Sequence, residues 1–426
     1  MDDKETKRQN VYKVIMLFVL AVLITFMTTT LLMYKKFADA YDTGTSIGES
    51  TTTTSGNKKD VSLVKTLETF KAMLEQKYIG EIDEEQLIEG AIKGYVEALG
   101  DPYTQYLTKD EMQEFKEETS GEYVGIGVYV TNYKVDNTIL VVGVMKGSPA
   151  LEAGMQAGDI IEKVDGVEYT GEQLSDATKV LKGSEGTTVK VTVLRDEKEI
   201  ELNVTRKKIT VDHVASKMLD NNIGYIQIDS FDDGVAKVSE EQLKKLKEQG
   251  AKGIIIDLRS NGGGIVDEAT GIAELFLKKD DTILITEGKE KGEKETKSSK
   301  DPIIQDMPVV VLVNGGSASA SEILAGALKD KYGATIVGTN TYGKGVIQTL
   351  YSLSNGGGLK ITTEEYYTPN HNRINKVGIK PDVEVELTKD SNGNYETSED
   401  KDAQLLKAKE VIQEKIKICR KLLFFR

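Results

Sequence analysis

Residue types that often carry chemistry are scarce in this sequence. Its 426 residues include one cysteine, Cys419, and two histidines, His213 and His371. A single cysteine excludes an intrachain disulfide and a metal site built from several thiolates. Two histidines nearly exclude a multi-histidine zinc centre. We therefore expect neither a metal nor another cofactor, and a histidine base could only be His213 or His371.

The chain also lacks an excess of positive charge. It has 55 Lys and Arg residues against 69 Asp and Glu residues, which gives a net charge of −14. No nucleic-acid partner is expected, because phosphate binding favours basic proteins. Hydrophobic residues make up 39% of the chain and charged residues 29%, a globular balance. At roughly 150 residues per domain, the length suggests about three domains.

One uncharged run stands out, at residues 14–33. At about 1.5 Å per residue, a helix of this length spans a bilayer. A cleaved signal peptide is the alternative, with Ala38-Asp39-Ala40 as its cleavage site. The length of the run and the two lysines after it, Lys35 and Lys36, favour an uncleaved anchor. We therefore expect a single-pass protein of the cell membrane, contacting the membrane through this N-terminal helix, with its catalytic part outside the cytoplasm.

Composition and periodicity divide the chain into six predicted segments. They are a cytoplasmic stub with the transmembrane anchor (1–36), a flexible linker (37–60), a helical region (61–118), a β-rich domain (119–207), an α/β domain (208–398) and a C-terminal helix (399–426). Within the α/β domain, residues 253–258 and 309–313 are apolar runs typical of strands buried on both faces. Residues 289–300 are highly charged and are predicted to form an exposed loop.

The β-rich domain carries a recognisable loop and a longer motif. The loop is Gly125-Ile126-Gly127-Val128, and the motif runs from Gly147-Ser148-Pro149-Ala150 to Gly158-Asp159-Ile160-Ile161. Together they resemble a PDZ domain. In such a domain the glycine loop offers backbone N–H groups to a peptide carboxylate, and the adjacent strand edge accepts the peptide as an added strand.

Three interpretations compete for the glycine-rich loops of the α/β domain. Residues 338–344 match a phosphate-binding loop until Gly345, where the pattern requires Ser or Thr, so nucleotide binding is disfavoured. A purely structural interpretation takes Ser319 and Glu322 as a capping box at a helix start. The third makes a serine the nucleophile and a lysine its base, because burial can lower a lysine pKa until the amine is neutral. Lys344 lies between two glycines, and a helix start at Ser319 would supply free N–H groups for an oxyanion.

Several motifs resemble the carboxy-terminal processing (tail-specific) serine peptidases, over about residues 61–415. They are Asp257-Leu258-Arg259, Asn261-Gly262-Gly263-Gly264, Ser317-Ala318-Ser319-Ala320-Ser321-Glu322, Tyr342-Gly343-Lys344-Gly345 with Gln348, Gly100-Asp101-Pro102-Tyr103, and Gly378-Ile379-Lys380-Pro381-Asp382. The resemblance implies an α/β fold: a crotonase/ClpP-like protease core with an inserted PDZ domain and an N-terminal helical region.

The resemblance also implies roles for individual residues. Ser319 would be the nucleophile, Lys344 the base, and Gln348 the residue that orients the lysine. The oxyanion hole would use backbone N–H groups of Gly263, Gly264 and Ala320, and supporting positions would be Arg259, Glu322 and Thr341. The expected protein is an endopeptidase, often a homodimer in this family, whose PDZ domain captures proteins or peptides by their apolar C-termini.

Two other function classes stay open on the sequence. One is a PDZ adaptor whose protease core is only a scaffold, against which the presence of Ser319, Lys344 and Gln348 argues. The other is a PDZ-bearing chymotrypsin-like protease, which would need His213 or His371 as its base.

Overall fold

The computed structural model describes residues 63–289, 292–389 and 395–424, which form two units divided between Ile82 and Asp83. The boundary falls inside the predicted helical region 61–118. In the first unit, helix α1 (Leu63–Lys77) has no buried residue, and Leu67, Phe70 and Met73 on it are exposed.

The structure contradicts the predicted single-pass location in the cell membrane. Among the described residues, no helix combines the length and the apolar character needed to cross a bilayer. The segment on which that prediction rested, residues 14–33, lies outside the described residues, as does the predicted linker 37–60.

The second unit begins with three short elements that precede the β-rich domain. They are helix α2 (Glu84–Glu97), strand β1 (Gln105–Leu107) and helix α3 (Lys109–Ser120). The Asp83 side chain caps α2, and Thr108 with Glu111 forms a capping box at the start of α3. Gly121 ends α3 in the left-handed conformation, with φ 64°.

The β-rich domain contains eight strands and two short helices. They are β2 (Glu122–Gly125), β3 (Val128–Tyr133), β4 (Thr138–Val144), α4 (Pro149–Glu152), β5 (Ile160–Val164), β6 (Val167–Glu168), α5 (Leu174–Leu181), β7 (Thr188–Arg195), β8 (Lys198–Thr205) and β9 (Lys207–Thr210). The main sheet has the order β3-β4-β5-β7-β8, so β3 lies at an edge, and β2 pairs with β9. Alternate residues of these strands, such as Val189, Val191 and Val193, form the domain's own core.

The α/β part contains the remaining ten strands and four helices. They are β10 (Val214–Leu219), β11 (Ile223–Ile228), α6 (Val235–Glu248), β12 (Gly253–Asp257), α7 (Val266–Ala273), β13 (Thr282–Gly288), β14 (Gly292–Lys297), β15 (Val309–Val313), α8 (Ala320–Ala327), β16 (Thr335–Gly338), β17 (Val346–Ser352), β18 (Gly358–Tyr367), β19 (Val383–Glu384) and α9 (Ala403–Phe424).

A six-stranded sheet in the order β10-β11-β12-β15-β16-β19 forms the centre of this part. Its strands are parallel except for β10. Both faces are covered, as the continuous apolar runs predict. Ile254 and Ile256 of β12 belong to one buried cluster, whereas Ile255 belongs to a second that includes Leu405 and Ile412 of α9. Because β12 and β15 are parallel, the loops that follow them lie at the same edge of the sheet.

A second sheet has the order β1-β18-β13-β14, with β17 also paired to β18. Strand β1 precedes the β-rich domain in the sequence, whereas the other strands of this sheet follow that domain. The sheet is therefore built from two segments that the β-rich domain separates in the sequence. The predicted exposed loop 289–300 is instead largely strand β14. Its residues are mostly exposed, and it pairs with β13 through backbone bonds that the charge pattern does not reveal.

Candidate active site

The three serines of the run after β15 have different surroundings. The Ser317 hydroxyl donates to the carbonyl oxygen of Leu258 at 2.7 Å, and the Ser321 hydroxyl donates to that of Asn261 at 2.9 Å. Both side chains therefore tie the start of α8 to the loop after β12. Within the described part of the chain, the Ser319 hydroxyl donates to no carbonyl oxygen, so its proton stays available for transfer.

The backbone of Ser319 is strained, with φ 55° and ψ −115°. A non-glycine residue in this region is held there by its surroundings, and such positions cluster at active sites. Ser319 is also the N-cap of α8, where the first helical N–H groups have no partner within the helix. The capping-box interpretation of the sequence is supported by the Ser319 N–H, which donates to the Glu322 carboxylate, and the role of Ser319 as nucleophile stays a prediction.

The carboxylate of Glu322, which is fully buried, joins the two halves of the site. It accepts hydrogen bonds from the main-chain N–H groups of Ser319 and Lys344, each at 2.9 Å. It also accepts from the Gly343 N–H at 2.7 Å and from the Thr341 hydroxyl at 2.5 Å. Glu322 and Thr341, both predicted as supporting residues, thus hold the backbones of Ser319 and Lys344 together.

Tyr366, on β18, makes a second connection that the sequence analysis missed. Its hydroxyl lies 3.1 Å from the carbonyl oxygen of Ser319 and also bonds to the carbonyl oxygen of Lys344. Its burial raises the pKa of the phenol well above the ordinary value, so the hydroxyl keeps its proton. Residues 361–367 read Ile-Thr-Thr-Glu-Glu-Tyr-Tyr, and no apolar–polar alternation in this stretch distinguishes Tyr366 as buried.

The amine of Lys344 occupies a half-buried position. Burial lowers the pKa of Lys344, and the nearby positive charge of Lys360 lowers it further, while the Glu322 carboxylate opposes both effects. The Nζ atom lies 5.0 Å from the centre of the Tyr103 ring. A lowered pKa increases the neutral fraction of the amine, which is the form that accepts a proton.

The loop that carries Tyr103 is fixed by its own hydrogen bonds. The Asp101 carboxylate accepts from the Tyr103 N–H at 3.1 Å and from the Thr104 hydroxyl at 2.6 Å. The Thr104 hydroxyl in turn accepts from the Thr362 N–H of β18 at 3.0 Å. A segment far from Lys344 in sequence therefore brings an aromatic ring against the candidate base.

Gln348 lies near this contact but is bonded elsewhere. Its side-chain amide donates to the Thr362 hydroxyl at 3.2 Å. Within the described part of the chain, no hydrogen bond joins Gln348 to Lys344. Its role in orienting the lysine stays a prediction.

Of the predicted oxyanion-hole residues, Gly263 and Ala320 lie beside Ser319, whereas Gly264 packs against the backbone of Phe231. A Cβ atom on Gly263, which has φ +107°, would come within 2.7 Å of Ser319 Cβ and 3.1 Å of Ala320 N. The Gly263 N–H donates to the Asn261 side chain at 2.9 Å, so this predicted donor is already engaged. The Gly264 N–H takes no part in the bonds that flank it, and the Ala320 N–H begins α8. The role of the Gly264 and Ala320 N–H groups as oxyanion donors stays a prediction.

Arg259 does not join this set. Its guanidinium pairs with Asp257 at 2.6 Å and with Asp402 at 2.7 Å. It links the end of β12 to the start of α9 and contacts neither Ser319 nor Lys344 through these bonds. Its supporting role in catalysis stays a prediction.

The two histidines are also bonded elsewhere. The Nε2 atom of His213 lies 2.8 Å from the Asp232 carboxylate, and His371 is exposed with Glu293 3.8 Å away. Among the residues that the structure describes, neither histidine bonds to a serine of the run after β15, so the arrangement disfavours the chymotrypsin-like alternative.

The predicted peptide-binding loop lies at the open edge of the β-rich domain. Gly125 ends β2, Ile126 is buried in the domain core, and Val128 begins the edge strand β3. Gly127 has φ +78°, and a Cβ atom there would lie 2.4 Å from that of Ser148. The loop therefore requires glycine, and the free edge of β3 is where an added strand would pair.

Comparison with known proteins agrees with this geometry. The model of "Peptidase family S41" matches residues 222–385, "PDZ domain" matches 140–195, and "Activating protease CtpB N-terminal domain" matches 20–111. The chain is 38% identical over 342 residues to "Carboxy-terminal processing protease CtpA" of Bacillus subtilis, covering 80% of this chain and 72% of that protein. The chain belongs to peptidase family S41. It is a serine peptidase of the carboxy-terminal processing type and carries a PDZ domain.

Two further proteins are similar to this chain. The chain is 39% identical to a "Probable CtpA-like serine protease" of Staphylococcus haemolyticus, over 76% of this chain and 64% of that protein. The chain thus spans slightly less than two thirds of that relative's length. A solved structure of a putative S41 protease from Bacteroides fragilis has a TM-score of 0.52 at 17% identity, covering 85% of this chain and 99% of that one. This last likeness supports the fold alone.

Proposed function

We propose that this S41 peptidase cleaves proteins or peptides with Ser319 as nucleophile and Lys344 as general base. The observation that carries the proposal is that Glu322 binds the backbone N–H of both residues. One buried group therefore sets the position of nucleophile and base relative to each other. Nucleophilic catalysis requires this relation, because the hydroxyl must be within reach of its base.

The reaction follows from the positions of these groups. Ser319 Oγ attacks the scissile carbonyl carbon while the neutral Lys344 amine takes the hydroxyl proton. The resulting oxyanion accepts hydrogen bonds from the N–H groups of Gly264 and Ala320, at the positive end of α8. The tetrahedral intermediate then collapses, and Lys344 delivers the proton to the leaving amine. Water releases the acyl group from Ser319 by the reverse sequence of proton transfers.

The same proposal assigns substrate capture to the PDZ domain. The loop from Gly125 to Val128 would bind the terminal carboxylate of a substrate through backbone N–H groups, and the edge of β3 would pair with the substrate's last residues. Substrates would then be proteins or peptides whose C-termini are apolar and free. A PDZ adaptor without catalysis is a weaker candidate, since an adaptor has no need for a half-buried lysine beside a strained serine.

Tail capture is tested with one unstructured substrate protein prepared in two forms, with a free and with an amidated C-terminus. We expect slower cleavage of the amidated form, seen as a higher KM with an unchanged kcat. A short peptide that contains the scissile bond but no tail serves as the control. Equal rates for the two protein forms would exclude capture through the carboxylate.

We also propose that the protein forms a homodimer. The apolar side chains exposed along α1, including Leu67, Phe70 and Met73, support self-association. Analytical ultracentrifugation of the purified protein and of a Phe70→Ser, Met73→Ser variant tests this. We expect a dimer for the parent and a weaker one for the variant, and a monomeric parent would contradict the proposal.

A further inference from the structure

A pair of charged side chains connects the segment between the PDZ domain and the α/β part to the loop that carries the candidate oxyanion donor. His213 lies between β9, the last strand of the PDZ domain, and β10. Its Nε2 atom is 2.8 Å from Oδ2 of Asp232, and both side chains are largely buried. The other carboxylate oxygen of Asp232 accepts the Ser230 hydroxyl at 2.6 Å. Both oxygens are thus used, and the carboxylate has a single defined orientation.

Asp232 directly follows the residue that fixes the oxyanion loop. The N–H of Phe231 donates to the Gly263 carbonyl oxygen at 3.0 Å, and the Phe231 carbonyl oxygen accepts from Ile265 N–H at 2.7 Å. These two bonds flank Gly264 on either side. A Cβ atom on Gly264 would lie 2.5 Å from the Phe231 oxygen, so the two backbones are in close contact. The direction of the Gly264 N–H is therefore set by the position of Phe231.

The segment around Phe231 and Asp232 is held from several sides. The Phe231 side chain is buried in the core of the α/β part, and the Glu268 carboxylate accepts from the Gly234 and Ala236 N–H groups. The Asp229 N–H donates to the carbonyl oxygen of His213 at 2.9 Å, and the Asp233 N–H donates to that of Thr119 in α3 at 3.1 Å. The His213–Asp232 pair adds a bond between side chains, which joins this segment to the linker between β9 and β10.

We propose that His213 and Asp232 act as a positioning pair that holds the Gly264 N–H in place for the oxyanion through the backbone of Phe231. The expected effect of the pair on the rate of cleavage rests on the proposed function, whereas its effect on the position of Gly264 does not. Neither residue touches the reacting atoms, so their effect is on the rate of the chemical step rather than on the binding of a short peptide.

The charge state of the pair gives the proposal a pH signature. The hydrogen bond to Asp232 raises the pKa of His213 above its ordinary value, burial opposes this, and the charges of Asp232, Asp229 and Asp212 add to the increase. A raised pKa means that the charged pair is present at low pH and is lost as the pH rises through the pKa of the folded protein. The benefit of the pair is therefore greatest below that pKa.

The test compares the parent with His213→Gln, Asp232→Asn and His371→Gln. The last variant removes the other histidine of the chain, which is exposed, and is expected to match the parent. With a short peptide substrate, we expect kcat of His213→Gln and Asp232→Asn to fall about tenfold at low pH with KM unchanged, because small displacements of a catalytic group are costly. The kcat ratio of the parent to His213→Gln should decrease as the pH rises, because the pair loses its charge while neutral His213 can still donate one hydrogen bond, and the effect of Lys344 cancels in this ratio.

Amide hydrogen exchange at Ile265 provides a readout that does not depend on activity, since this N–H is bonded to Phe231. We expect faster exchange in both variants than in the parent at the same pH, and no change in His371→Gln. If the parent does not cleave but the exchange differs as expected, the proposed function fails and the coupling stands. Unchanged exchange in both variants, a parent-to-variant kcat ratio that does not vary with pH, or a loss confined to KM would overturn the proposal. If His213→Gln does not fold, the Asp232→Asn exchange and kcat decide alone.

Discussion

The hydroxyl of Tyr366 bonds to the main-chain carbonyl oxygen of Lys344, and the same hydroxyl lies 3.1 Å from the carbonyl oxygen of Ser319. Glu322 joins the same two residues through their N–H groups. The backbones of Ser319 and Lys344 are thus connected twice, once through their N–H groups and once through their carbonyl oxygens. A serine and a lysine that are 25 positions apart in the sequence can keep one relative position because both connections are buried.

Removing the Tyr366 hydroxyl tests the acceptor side of this arrangement. We expect Tyr366→Phe to lower kcat about tenfold with little change in KM, since the carbonyl oxygens of Lys344 and Ser319 lose the one hydroxyl proton that they share. The free energy of unfolding should fall by about 1–2 kcal/mol. Tyr367→Phe is the matched control, because the Tyr367 hydroxyl bonds to Glu287 at 3.2 Å and not to Ser319 or Lys344. Parent activity in Tyr366→Phe would show that the bridge does not position the site.

Glu322→Gln tests the donor side. One carboxylate oxygen accepts from Thr341 and Gly343, and the other from Ser319 and Lys344. Whichever oxygen becomes the amide NH₂ will face two donors, so we expect a loss of stability of about 3 kcal/mol and loss of activity. Chemical unfolding and peptide cleavage measure the two effects.

The control for this change is Glu365→Gln. Glu365 lies on β18 and pairs with Arg373, so this variant removes a carboxylate charge without touching the bonds of Glu322. It should retain the activity of the parent. Equal stability of Glu322→Gln and the parent would contradict the role assigned to Glu322.

Lys360 is predicted to influence the pH dependence of cleavage. Its positive charge contributes to lowering the pKa of Lys344, after burial. Activity requires the neutral amine, so kcat/KM should rise with pH through the pKa of Lys344. In Lys360→Met the neighbouring charge is gone, the pKa of Lys344 rises, and the midpoint of this increase should move to higher pH. Lys294→Met, at an exposed position on β14, should leave the profile unchanged.

The three serines of the run after β15 should respond differently to replacement by alanine. Ser317→Ala and Ser321→Ala each remove a buried hydroxyl that donates to a carbonyl oxygen, so each should lower stability by about 1–2 kcal/mol. Ser319→Ala should abolish cleavage with less effect on stability. Thermal unfolding and peptide cleavage of the three variants separate these roles. An inactive but stable Ser317→Ala or Ser321→Ala would favour a different nucleophile.

Local patterns predicted much of the fold and of the site. The apolar runs at 253–258 and 309–313 correspond to the buried strands β12 and β15, and motif residues such as Ser319, Glu322, Thr341 and Lys344 lie together in the structure. These residues belong to two loops at the same sheet edge, which short-range spacing and family resemblance suffice to identify.

The remainder of the site depends on pairing between distant segments. Tyr366 reaches Ser319 and Lys344 only because β18 pairs with β13 and β17, and Tyr103 reaches Lys344 only because β1 pairs with β18. Arg259 has a motif position close in sequence to the glycine loop, yet its carboxylate partner Asp402 lies in a distant segment. No single stretch of sequence contains the information that sets these contacts.

The most direct test of the proposed nucleophile and base compares cleavage by the parent with cleavage by Ser319→Ala and Lys344→Ala. Each protein is incubated with an unstructured substrate that ends in apolar residues, and the fragments are identified by mass. We expect fragments from the parent and none from either variant, while all three proteins remain folded. Cleavage by either variant at the rate of the parent would contradict the assignment of Ser319 and Lys344.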